Sequence, residues 1–289
     1  MKRRRISGAM SGTVTAAFAG IDVAFAKTKR LPIVVCRWRD GRLIPEPLAH
    51  LPFTPPRGRG NAATCDPEAV AAFAAETVEY LRRVEAGLGV RIVRIGIDAP
   101  SATRRDGTSR RAAEAALDRA GISCFTTPGE TDFERIREKV RQHLEAGGGH
   151  ANLPHANQLW MQVGFALFRE LRKVAECVEV YPQATIRQLG AGSIHKFKTG
   201  GVESQLAAVA RHTGWPNGRT GDPRLEEIAF GPRHDRLDAY LSAWVAALAE
   251  ADRVAFSTPP DDVIWVPRVT HSHFHEEHLG GSECDAAMP

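Results

Sequence analysis

The chain lacks the features that would place it quickly. None of its 289 residues starts a run approaching the ~18 consecutive apolar residues of a membrane span. The basic start, Lys2 to Arg5, leads into Gly, Ser, Thr and Ala rather than the apolar core of a signal peptide. A cytoplasmic protein with no membrane partner is the expectation. Cysteine is sparse: Cys36, Cys65, Cys124, Cys177 and Cys284 are odd in number, scattered, and form no C-x-x-C pair. Free thiols in a reducing compartment follow. No G-x-G-x-x-G and no G-x-x-x-x-G-K-S/T occurs, which argues against a nucleotide cofactor. Ser101, Ser109 and Ser193 lack a G-x-S-x-G setting, which argues against a serine hydrolase. Charge of one sign is also missing. The 38 basic and 34 acidic residues leave +4, which permits nucleic-acid binding without demanding it.

What is present is a repeated tripeptide. Ile92, Val93, Ile95 and Ile97 read as a buried strand that ends in Asp98, and Pro100 stops the ladder just beyond it. Gly96-Ile97-Asp98 repeats Gly20-Ile21-Asp22, in the strand expected within Thr13 to Ala26. An acid at the carboxyl end of a strand in an open α/β sheet lies where such sheets hold their ligands.

The remaining pattern is α/β. Leu31 to Trp38 and Gly41 to Ile44 read as two further strands joined at Asp40-Gly41, a strong hairpin turn, so the chain opens with an antiparallel meander. Asp66-Pro67 starts a helix with apolar positions to about Gly87, which delivers the chain into the Asp98 strand. From 102 to 176 the sequence shows helical stretches and no convincing strand. This segment is expected as a helical insertion or cap over the carboxyl edge of the sheet. Cys177 to Tyr181 (CVEVY) is a short strand, Val202 to His212 and Leu225 to Ile228 are helical, and His234 to Arg253 is the last strong helix. Val263 to Pro267 reads as a late edge strand or extended arm. The domain layout is thus a flexible basic arm at 1–12, one domain at 13–267, and a disordered His-rich tail at 268–289.

Five acids are candidates for one site: Asp22, Asp98, Glu179, Asp235 and Asp238. Asp235 and Asp238, three apart near a helix start, share a face where the dipole favours negative charge. Such carboxylates repel one another until a hard divalent cation relieves them, and Mg²⁺ or Mn²⁺ takes oxygen ligands of this kind. Two such ions can activate water and stabilise a leaving oxygen in phosphodiester hydrolysis. The plain alternatives are a turn role for Asp22, caps for Asp98 and Asp235, and a solvated side for Glu179.

The motifs AGID, IGIDAPS, VEVYP and HDRLDAYLSAW, in this order, resemble the DUF429 family, a branch of the ribonuclease H-like superfamily of predicted nucleases. The resemblance runs from Ala16 to Ala255. It implies a mixed five-stranded sheet, with three antiparallel strands and then parallel ones, flanked by helices on both faces. It also implies that Asp22, Asp98, Glu179, Asp235 and Asp238 are the family's acids. Tyr181 stands where relatives often have His before the proline, and Val23 to Lys27 replaces a Gly/Arg-rich turn.

Several weaker signals surround these acids. Arg104, Arg105, Arg110 and Arg111 can hold a phosphate backbone or can be a solvated helix start. His195, Lys196 and Lys198 form a second possible phosphate patch, and His234 is a rim proton carrier or ordinary loop. His271, His273, His275 and His278 can bind a transition metal incidentally. The expected function is a Mg²⁺- or Mn²⁺-dependent nuclease acting on DNA or RNA. The alternatives are a small nucleotide or phosphoester hydrolase, and a non-catalytic nucleic-acid or protein binding module that retains the fold.

Overall fold

The computed structural model describes residues 14–191, 194–259 and 262–269. The basic arm, Ser193 and nearly all of the His-rich tail lie outside the described residues.

Seven strands form one sheet in the order β3-β2-β1-β4-β5-β7-β6. The meander comprises β1 (Thr15–Asp22), β2 (Ile33–Arg39) and β3 (Arg42–Pro45). Asp40 and Gly41 turn β2 into β3, both at positive φ, as a tight two-residue hairpin requires. Helix α1 (Pro67–Leu88) begins as its sequence dictates. The Asp66 side chain accepts the Glu68 N–H at 3.0 Å, and Pro67 fills the first helical position. The helix then crosses to β4 (Val90–Asp98), parallel to β1. Strand β5 (Glu176–Val180) extends the parallel part. The arrangement, antiparallel then parallel with helices on both faces, is consistent with a ribonuclease H-like fold.

The expected five strands are joined by two more. Strands β6 (Arg253–Phe256) and β7 (Ile264–Pro267) form a hairpin, with β7 parallel to β5 and β6 at the outer edge. The segment expected as an edge strand or arm is therefore internal. What covers it is a four-residue strand, Arg253–Phe256, too short to show a period against the preceding helix.

Two apolar layers sandwich the sheet. On one face Ile21, Ile33, Val35, Ile95 and Ile97 pack against α1 and against α5 (Met161–Leu171) through Phe73, Leu81, Val163 and Phe168. The stretch expected as insertion or cap thus supplies α5 to this core layer. Its remaining helices, α2 (Ala112–Arg119), α3 (Glu130–Glu145) and α4 (Ala156–Leu159), pack in satellite clusters. Beyond β5 come α6 (Pro182–Gln188), α7 (Gly201–Thr213) and α8 (Leu225–Ile228). The last helix, α9 (Arg233–Ala247), lies on the other face and buries nearly every residue from Leu237 onward. It ends at Ala247, earlier than the apolar pattern to Arg253 implied. Arg94 from β4 donates to its terminal carbonyls, Ala246 O at 2.9 Å and Leu248 O at 3.0 Å, which closes the helix end.

Glycine explains how closely α9 approaches. A Cβ on Gly20 would stand 2.0 Å from the Ala239 carbonyl oxygen, and one on Gly96 would stand 2.1 Å from that of Ser242. Both neighbours are helix backbone. The two glycines let α9 rest directly on β1 and β4.

Candidate metal centre

The Gly-Ile-Asp repeat acquires its meaning from strand register. Gly20 pairs with Gly96 and Asp22 with Asp98 across the parallel β1–β4 ladder. Side chains two apart on a strand share a face. Each Asp therefore points to the face that its Gly opened for α9. Asp238 comes down from the first turns of that helix, just before Ala239 and Ser242, which touch the glycines. Oxygen atoms of Asp22, Asp98 and Asp238 all lie within 4.8 Å of one another.

Burial first, and then repulsion from neighbouring carboxylates, raises the pKa of all three. Asp22 is pushed well above its ordinary value by burial first, then by Asp238, Asp98 and Asp235. Asp98 rises to about 8, through burial and then Asp238, against the opposing pull of Lys196. Asp238 rises to about 6, because burial outweighs the Lys196 ammonium that it contacts. Burial draws Lys196 down, yet Asp238, Asp98 and Asp22 together hold it above the usual lysine value. The centre is a partly neutralised nest of hard oxygen donors.

Asp235 sits one turn earlier and is not in this group of three. It accepts a hydrogen bond from Lys29 Nζ at 2.7 Å and lies 2.9 Å from His234 Nε2, while its charge still reaches Asp22 and Asp238. The N-cap position falls to Pro232, so a capping role for Asp235 does not arise. His234 is half-buried, and burial holds its imidazole below the ordinary histidine value despite Asp235.

Glu179 is directed elsewhere, and alternation gives the reason. It pairs with Ile97, whose side chain lies in the α1–α5 layer, whereas Asp98 points to the α9 face. Glu179 accepts both terminal nitrogens of Arg111, at 2.8 and 2.7 Å, and the Ser101 N–H at 2.8 Å. It pins the loop that follows Asp98 and does not join the three oxygens. Its partner corrects a second expectation. Arg111, read as a phosphate contact or a solvated helix start, is buried and committed to Glu179, with Asp262 3.2 Å from its Nε.

The other basic candidates divide. Arg104 is tied to Asp132 and to the Thr108 carbonyl, Arg110 to Asp118 and the Cys124 carbonyl. Arg105 and Lys198 are exposed. Lys196 contacts Asp238 of the three-carboxylate cluster. Phe197, next to it, is 67% exposed and packs its ring on both His195 and His234, at centroid distances of 5.0 and 4.6 Å. This ring carried no sequence signal beyond following a lysine.

Fold and centre together define an α/β protein with an acidic cluster at the carboxyl edge of parallel strands. The chain belongs to the family described as "Protein of unknown function (DUF429)", whose model matches residues 20–263. No curated protein and no solved structure matches the chain.

Proposed function

We propose that the protein is a divalent-metal-dependent phosphodiester hydrolase acting on nucleic acid. One observation carries this reading: the oxygens of Asp22, Asp98 and Asp238 within 4.8 Å of one another. The donor set fits Mg²⁺ or Mn²⁺, since all three are hard carboxylate oxygens whose pKa values are raised by burial first and then by neighbouring carboxylates, a repulsion that a cation relieves. When bound, such ions supply a hydroxide at neutral pH and charge stabilisation at the phosphoryl oxygens.

The chain's own groups do the positioning. Asp22 and Asp98 are fixed by the strand ladder, and Asp238 by a helix seated on two glycines. Glu179 and Arg111 hold the loop beyond Asp98. The Lys196 ammonium, which balances Asp238, is placed to pass to a phosphate oxygen when the carboxylates gain another counter-charge. His234 directs Nε2 to Asp235, which leaves Nδ1 to take or relay a proton at the rim.

A cavity bordering Asp98 favours, as a second reading, hydrolysis of a free nucleotide or another small phosphoester. The test is calorimetric manganese titration of wild type and Asp98→Asn, beside cleavage assays on labelled DNA, RNA and mononucleotides. Manganese-dependent cleavage, with both binding and activity lost in the variant, is the expected result. A wild type that binds no manganese overturns the proposal and leaves a binding module.

A further inference from the structure

The cavity beside the carboxylates has a wall that the hydrolytic reading does not use. It is a shallow recess of about 60 Å³ that opens to solvent, so a flat ring would lie against its wall rather than be enclosed. Phe125, Trp160 and Tyr181 line it with Met161 and Pro100, and Asp98 stands at its border. Phe125 is 60% exposed, which leaves its ring accessible to a ligand. Tyr181 is held by its hydroxyl, which donates to the Ser123 carbonyl at 2.9 Å. Trp160 is held by its indole N–H, which donates to the Asn157 carbonyl at 2.9 Å. These anchored rings offer flat faces at little cost in conformational entropy.

The carboxylates of the same wall other than Asp98 are already committed. Glu114 accepts both the N–H and the hydroxyl of Thr127, and Glu179 accepts Arg111 and Ser101. What is left to a ligand is apolar and aromatic surface next to an acidic centre. A flat ring joined to a phosphate matches both parts, and a phosphate at Asp98 would carry that ring to the cavity.

We propose that this cavity is a nucleobase subsite, in which Phe125, Trp160 and Tyr181 receive an unpaired base of the nucleotide whose phosphate lies at Asp22, Asp98 and Asp238. It rests on the phosphodiesterase reading and narrows it to single-stranded or locally unpaired nucleic acid, or to a free nucleotide. Recognition is by ring stacking, so it is tolerant of base identity. A base inside a duplex is already stacked and cannot enter.

The experiment is fluorescence anisotropy on the full chain, with calcium present to neutralise the carboxylates. The probes are a short oligothymidylate, an abasic strand of equal length and charge, the matching duplex, and thymidine monophosphate as competitor. Wild type should bind oligothymidylate about tenfold more tightly than the abasic strand. Phe125→Ala should erase that difference without weakening the abasic strand, and Phe125→Tyr should keep it. Because Phe125 is largely exposed, the alanine variant retains its fold. Competition by the monophosphate on equal terms assigns the subsite to free nucleotides; weak competition assigns it to a strand. Equal binding of the thymidylate and abasic strands by wild type overturns the subsite alone. So does a duplex that binds as well as the single strand. If no probe binds, the nucleic-acid reading falls with it.

Discussion

Gly96→Ala is the sharpest test of how the centre is built. The added Cβ would meet the Ser242 carbonyl oxygen at 2.1 Å, against ordinary contact from 3.4 Å, so α9 must withdraw by more than 1 Å or tilt. Two effects compete. Alanine in a strand recovers roughly 0.5–1 kcal/mol of backbone entropy relative to glycine. Overpacking a filled interior costs roughly 1–3 kcal/mol, with the upper end expected because the obstacle is helix backbone rather than a flexible side chain. Destabilisation therefore wins, by about 2 kcal/mol. Asp238 rides on the displaced helix, so its distance to Asp22 and Asp98 grows from a cluster whose oxygens lie within 4.8 Å of one another. Urea unfolding should show a lowered midpoint at unchanged slope, and manganese titration should show affinity reduced by about tenfold or more. Gly20→Ala, which faces Ala239 and Ala243, should behave alike. A Gly96→Ala protein with wild-type stability and wild-type manganese affinity would refute the close-seated helix as the device that assembles the site.

Other outcomes follow from the charges. Asp98, raised from 3.8 to about 8, binds its proton more tightly folded than unfolded, so metal-free stability should fall as pH rises from about 4 to 8. Asp98→Asn should flatten that slope and stabilise the metal-free protein at pH 8 by about 1–3 kcal/mol, water at the open mouth reducing the larger figure that the full shift implies. Thermal melts across pH, with and without manganese, check both statements; a slope of opposite sign refutes them. Arg111→Met leaves Glu179 buried without its bidentate partner and should cost about 3–5 kcal/mol in urea unfolding. The double change Arg111→Met with Glu179→Gln should recover part of it. Lys196→Met removes the ammonium beside Asp238 and should lower metal-free stability while enlarging the gain on adding manganese. An unchanged gain would show that Lys196 contributes nothing to the balance of charge.

The sequence by itself determined the local elements and the pairing signals. Asp40-Gly41 dictated the hairpin, and Asp66-Pro67 dictated the start of α1, because turn and cap chemistry depends on a few adjacent residues. The repeated Gly-Ile-Asp marked two strands and their acids because period-2 alternation is a local property. Alternation also bore on Glu179: in CVEVY the residues facing α9 are Val178 and Val180, which pack against Val245 and Ala246, so the acid between them faces away. Which face is the α9 face, however, is not written in five residues.

Tertiary structure decided the rest. It selected Asp238 over Asp235 for the cluster of three, since both lie on one helix surface and only the seating of α9 on Gly20 and Gly96 determines which carboxylate reaches the strand ends. It turned Arg111 inward to Glu179, a contact 68 residues apart, and drew Lys196 to Asp238. It supplied β6, whose four residues are readable only once paired, and it placed β7 inside the sheet rather than at its edge. Each of these depends on contacts distant in the chain, and the energy of such contacts exists only after the layers have closed.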